Sequence, residues 1–164
     1  MAREYTLNAG GLTLANQPVT LAFLNPAAGP GPAIEIIRVE VTQSGSTTSA
    51  QQRVQLVTQV TAFPTLTSKA PTTDKLGDPA SSITGGTAGA AGTSGVNASA
   101  EGAGTKTVRY ESAFNVLNGW IWLPGPLETI ILQAGSASGF GVFLPVAPGS
   151  LSNWNVSVNF RELG

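Results

Sequence analysis

Apolar and polar positions alternate most cleanly near the C-terminal end of the chain. Trp154, Val156, Val158 and Phe160 share one parity, and Asn153, Asn155, Ser157 and Asn159 share the other. A period of two sends successive side chains to opposite faces of a strand, so this segment predicts a half-buried β-strand. Phe140, Val142, Leu144 and Val146 repeat the pattern, which ends at Pro145, Pro148 and Gly149. Residues 127–133 form a third, more continuously apolar run before Ala134 and Gly135. Three short strands in succession predict an antiparallel meander.

Upstream, residues 19–24 and 34–42 are also strand-like, and the apolar parity of the second switches between Ile36 and Ile37. One extra residue in a strand produces such a switch, so a β-bulge is predicted there. Residues 49–61 carry two signals. Ser49 followed by Gln52 has the form of a helix capping box, whereas Val54, Leu56, Thr58 and Val60 alternate. The β-branched content favours the strand. Asn118-Gly119 lies between residues 108–116 and 120–123. An Asn-Gly pair accepts the positive φ angles of a type I′ turn, which predicts a hairpin, with one helical turn over 114–117 as the competing arrangement. The strand total is eight or nine. The predicted fold is all-β: a single domain over 1–164, an antiparallel, jelly-roll-like β-sandwich.

Residues 64–104 break this rhythm. Pro64, Pro71 and Pro79 open the segment, which then becomes Gly, Ala, Ser and Thr almost throughout, with Asp78 and Glu101 as the charges between 77 and 104. Such a run supplies little core and loses much entropy on ordering. It is expected to be a long loop or arm inserted between strands. Its small, uncharged residues suit close packing against another chain, which makes Ser81, Gly85, Gly86, Gly89, Gly92, Gly95 and Gly102 candidate interface positions; a flexible linker is the alternative. Gly86, Gly89, Gly92 and Gly95 recur every third residue, but three triplets without proline do not make a collagen helix.

Composition narrows the chemistry. Of 164 residues only 10% are charged, with 8 Lys and Arg against 9 Asp and Glu, and there is neither Cys nor His. Disulfides, thiolate nucleophiles, imidazole bases and histidine metal ligands are thereby excluded. A net charge of −1 provides no broad positive field for a phosphate backbone, so no nucleic-acid partner is expected. The apolar runs at 120–123 and 130–132 fall far short of the ~20 residues of a membrane helix. No membrane association is expected, and residues 1–10 lack the apolar core of a secretory signal.

The remaining chemical candidates are sparse. No Gly-x-x-x-x-Gly-Lys phosphate loop occurs. Asp74 and Asp78 lack the spaced oxygen ligands of a calcium loop. Glu35, Glu40, Glu111 and Glu128 do not define the opposed pair that glycoside hydrolysis needs. No catalytic residue, metal or cofactor is expected, and the protein is read as not an enzyme. Trp120 and Trp122 fall on one face of a strand about 7 Å apart, a spacing that suits either stacking on sugar rings or filling a core or interface. Trp154 opens an alternating strand and is expected in the core. Asn97-Ala98-Ser99 and Asn155-Val156-Ser157 match the glycosylation sequon, which recurs by chance.

Residues 34–42, the run DPASSITGGTAGAAGTSGVNASAEGAGT over 78–105 and AFNVLNGWIWLPGPLETIILQAG over 113–135 together resemble structural proteins of tailed bacteriophages, in particular head decoration and minor capsid proteins. The resemblance is one of style and segment order, and it transfers no site residue. It implies a small β-rich module, often a homotrimer, made in the host cytoplasm and placed on the virion. There it would bind the major capsid protein at the capsid surface and reinforce the lattice. The alternative is a carbohydrate- or receptor-binding β-sandwich of a fibre or spike.

Overall fold

A computed structural model describes residues 2–164. Among them there are thirteen strands and no helix: β1 (Arg3–Leu12), β2 (Val19–Leu24), β3 (Ala33–Gln43), β4 (Gln51–Val60), β5 (Thr65–Ser68), β6 (Thr72–Thr73), β7 (Thr84–Gly85), β8 (Thr93–Ala100), β9 (Thr105–Asn115), β10 (Trp120–Trp122), β11 (Ile130–Leu132), β12 (Ser138–Leu144) and β13 (Trp154–Leu163). They form two sheets that pack face to face as a β-sandwich. The first sheet runs β10-β3-β13-β1-β6, with β11 also on β3, and the second runs β5-β8-β2-β12-β4-β9, with β7 also on β8. The pairings are antiparallel except for the two-residue contact of β7 with β8. Without β5 to β8, the orders β1-β13-β3-β10 and β2-β12-β4-β9 are those of two interleaved Greek keys, a jelly roll.

The alternating segments become strands because one parity is sealed between the sheets. On β13, Trp154, Val156, Val158 and Phe160 are buried, and they meet Phe140, Val142 and Leu144 of β12 in one core. The indole N–H of Trp154 donates to the Ser150 carbonyl at 2.7 Å, so its polar atom is satisfied inside the core. The pairing of β13 with β3 shifts register between Asn159 and Phe160, opposite Arg38 and Ile36, which leaves Ile37 as the extra residue. The predicted bulge lies there, and it explains how Ile34, Ile36, Val39 and Val41 all point inward despite their mixed parity. Residues 51–60 are strand β4, as their β-branched content favours.

Two local expectations are corrected. The three C-terminal strands are not a meander, because β11 and β13 belong to the first sheet and β12 to the second. Neighbours in sequence therefore face each other across the core. Nor do β9 and β10 form a hairpin: β9 pairs with β4 and β10 with β3. Around Asn118, only Gly119 takes a positive φ, 69°, whereas a type I′ turn needs two such residues. The Asn118 N–H donates to the Asn115 carbonyl at 2.9 Å, and this turn carries the chain from one sheet to the other.

The segment 64–104 lies between β4 and β9, as an insertion between strands, but it is not a long loop. It contributes β5 to β8, and β8 hydrogen-bonds to β2 with Ala22, Phe23 and Leu24 opposite Val96, Gly95 and Ser94. Ile83, Val96 and Ala98 enter the core. The insertion also covers the outer face of the second sheet. Phe23 lies there fully buried, 5.6 Å from the ring of Phe63, over Gly139 and Gly141. A Cβ on Gly139 would collide with the Phe23 ring. The chain can thus bury all six residues of β2, which no two-faced alternation would allow. Phe23→Ala is expected to cost about 3–5 kcal/mol in denaturant unfolding. Hydrogen exchange should accelerate more across 84–100 than across β13.

Candidate functional site

The candidate interface residues of the insertion bind their own chain. The Ser81 hydroxyl donates to Glu162 Oε1 at 2.7 Å, and the Ser82 N–H and hydroxyl reach the same oxygen at 2.8 Å each. Gly85 pairs with Ser94, the Gly86 N–H donates to the Ser94 carbonyl, and Gly95 pairs with both Phe23 and Ser68. The Gly92 N–H donates to the carbonyls of Asn25 and Pro26. The Gly89 carbonyl accepts from Asn25 Nδ2 at 2.8 Å, and with φ of 59° this residue lies against Phe63, where a Cβ would stand 2.7 Å from the Phe63 Cβ. Gly102 packs under the carbonyls of Ala62 and Phe63, a space that any side chain would fill. These positions are small so that the insertion can close on the sandwich, and the expected arm is docked on its own chain over these residues.

Glu101 is the strongest polar tie of the insertion. Its two carboxylate oxygens accept from the N–H and the hydroxyl of Thr20, each at 2.6 Å, and Lys106 Nζ stands 3.2 Å away. The Lys106 ammonium also lies 4.9 Å from the centre of the Phe143 ring. Tyr5 makes a second tie at the far edge, where its hydroxyl donates to the Pro79 carbonyl at 3.2 Å. Burial of the phenol, reinforced by the Glu162 carboxylate, pushes its pKa above the ordinary value.

The remaining carboxylates are mostly occupied. Glu35 and Glu4 pair with Arg161, Glu40 with Arg38, and Glu111 with Arg53 and Gln55. The hydrogen bond from Arg53, with one from Gln55, holds the Glu111 carboxyl below its usual range. Asp74 accepts from the Thr6 hydroxyl at 2.5 Å. Among the described residues no three His, Cys, Asp or Glu side chains come together as a metal site. The sequon amides are also engaged: Asn97 Nδ2 donates to the Thr13 carbonyl and Asn155 Nδ2 to the Thr42 hydroxyl.

The tandem tryptophans lie at the open edge where β9 of the second sheet faces β10 of the first. Tyr110 stands 6.3 Å from Trp120 and 6.2 Å from Trp122, ring centre to ring centre. Trp122 is only 4% exposed and Trp120 is half-buried, so the two indoles close the edge of the core and present no flat stacking platform. Trp154 is separate, deep in the sandwich against Phe114. Beside Trp122 a groove of about 290 Å³ is lined by Arg109, Tyr110, Glu128, Thr129 and Ile130. Arg109 Nε donates to the Thr58 hydroxyl, while the Glu128 carboxylate has no side-chain partner among the described residues.

Around this groove the surface turns apolar. Ten large hydrophobic residues are exposed among those described, and seven of them fall between 108 and 131: Val108, Tyr110, Leu117, Ile121, Leu123, Leu127 and Ile131. Ile121 and Ile131 sit opposite Glu40 and Glu35 of β3, so they lie on the outer face of the first sheet, at its edge. Arg109, Tyr110, Thr129 and Ile130 were not marked by any motif. Only the crossing of the chain between sheets brings β9 beside β10 and β11.

Comparison of the chain with models of known protein families finds no match, and comparison with curated proteins finds none either.

Two outcomes are expected from these ties. Glu101→Ala removes charge-assisted hydrogen bonds from the buried N–H and hydroxyl of Thr20 and should lower unfolding stability by about 1.5–3 kcal/mol, read from urea titrations. Tyr5 keeps its proton in the folded state above pH about 10, where the unfolded chain loses it, so stability falls as pH rises through that region. Tyr5→Phe should flatten the fall of unfolding free energy above about pH 10.

Proposed function

We propose that this chain is a non-enzymatic structural subunit of a virion that decorates and stabilises a phage capsid. Its partners in this reading are copies of itself, as a homotrimer, and the major capsid protein. The observation that supports it best is the concentration of exposed apolar side chains on β9, β10, β11 and the segments that join them, in a chain with few charges. Exposed apolar side chains in such number over one part of a chain are a common mark of contacts with other macromolecules. The resemblance to head decoration proteins supplies the setting. A jelly roll is compatible with it but serves lectins as readily as capsid proteins, so the fold by itself does not choose between them.

Weak contacts repeated over a lattice gain strength by avidity, which suits a subunit whose single apolar edge is modest in area. The carbohydrate-binding alternative asks for two accessible indoles, and the burial of Trp122 speaks against it. Ile121→Ser combined with Ile131→Ser changes two outward side chains and should leave thermal unfolding nearly unchanged. Binding to the native particle should fall by about tenfold or more, since two half-exposed isoleucines contribute more than about 1.4 kcal/mol. Co-sedimentation with particles measures this, and unchanged binding would remove the edge from the mechanism.

A further inference from the structure

The groove beside Trp122 has a complement on the same molecule, at the opposite edge of the same sheet. The first sheet ends with β10 and β11 on one side and with β6 on the other. Directly after β6 comes the turn of residues 74–78, Asp-Lys-Leu-Gly-Asp, in which the Leu76 side chain is fully exposed. The turn is held in place: the Asp74 N–H donates to the Glu4 carbonyl at 3.2 Å, and Asp74 accepts from Thr6. The Asp78 N–H closes it on the Lys75 carbonyl at 3.2 Å. A leucine presented on an anchored turn has little entropy left to lose on docking.

We propose that Leu76 of one copy seats in the groove of a second copy, against Tyr110, Trp122 and Ile130. The charges match. Leu76 is flanked by Lys75 and Asp78, and the groove carries Glu128 and Arg109. Lys75 and Glu128 have no side-chain partner among the described residues, so both are available to each other across the contact. A contact between opposite edges of one sheet is head-to-tail. Such contacts close into rings or extend in rows, whereas a two-fold contact would bring the same edge to itself. This inference rests on the assembly reading and adds to it the residues that join neighbouring copies.

The test is sedimentation equilibrium of the full chain over rising concentration, with binding to native particles measured alongside. Leu76→Asp and Glu128→Lys should each weaken self-association by about tenfold or more. The double variant Lys75→Glu with Glu128→Lys reverses the pair and should recover most of the loss. Circular dichroism should remain that of the parent, because every substituted side chain lies at the surface. Self-association of Leu76→Asp at the parent's strength would overturn the proposal, as would a parent that stays monomeric up to about 1 mM. If a saccharide or a proline-rich peptide protects Tyr110 in the parent and in Leu76→Asp alike while self-association is unchanged, the groove belongs to that ligand and the proposal fails. In each failing case, continued loss of particle binding in the Ile121 and Ile131 double variant would leave the assembly reading standing.

Discussion

Strand β2 is buried on both faces, and its second cover comes from the least hydrophobic stretch of the chain. The contact that makes this work is Phe23 lying flat on Gly139 and Gly141, under Phe63 and the loop at Gly89. Without it the insertion would keep only the contacts of Leu66, Ile83, Val96 and Ala98 with the core, and the outer face of the second sheet would be open to water at Gly139 and Gly141. A single aromatic ring removes enough apolar area to organise a segment that cannot build a core alone. The polar ties from Glu101 to Thr20 and from Ser81 and Ser82 to Glu162 then fix its position. They satisfy two carboxylates that are largely withdrawn from solvent.

Because the insertion is folded inward, most of the exposed apolar side chains lie outside it, with Leu76 the exception. Most of these gather where the free edge of β9 meets the short strands β10 and β11. A sandwich has two open edges between its sheets. One is closed here by the insertion and β1, and the other by Tyr110, Trp120 and Trp122. Aromatic rings at such an edge seal the core with part of their area still outside, as Tyr110 and Trp120 do here. The bulge at Arg109, where Tyr110 and Val108 face Leu56 and Val57 in turn, twists the outer strand. Such a twist discourages continuous strand-to-strand pairing, which favours contacts made by side chains.

Much of the strand content was legible in the sequence. The alternation over β13 and β12 reports burial on one face directly, and the parity change at Ile37 located a bulge without any partner in view. Pairing was not legible in the same way. The run at 130–132 and the turn at Asn118 read as parts of a meander and a hairpin because local signals favour the nearest partner. The jelly roll overrides them by sending each strand across the core. The insertion was misjudged for a related reason: glycine and alanine carry little hydrophobic signal, yet they allow the close backbone approach that burial beneath Phe23 and Phe63 requires. Leu76 and Leu127 could be read as apolar, but their complete exposure is a property of the turns that hold them.

The amino-acid sequence by itself determined that this is an all-β chain with a core of alternating residues, a low-charge surface and no thiol or imidazole chemistry. Those properties follow from residue types and from a period of two, which are local. Tertiary structure decided which strands are neighbours, that the Gly-rich segment belongs to a sheet, and that Tyr110, Trp122 and Glu128 share a groove. These depend on contacts between residues far apart in the chain, whose free energy is set by the shape of the whole sandwich and is invisible to any local pattern.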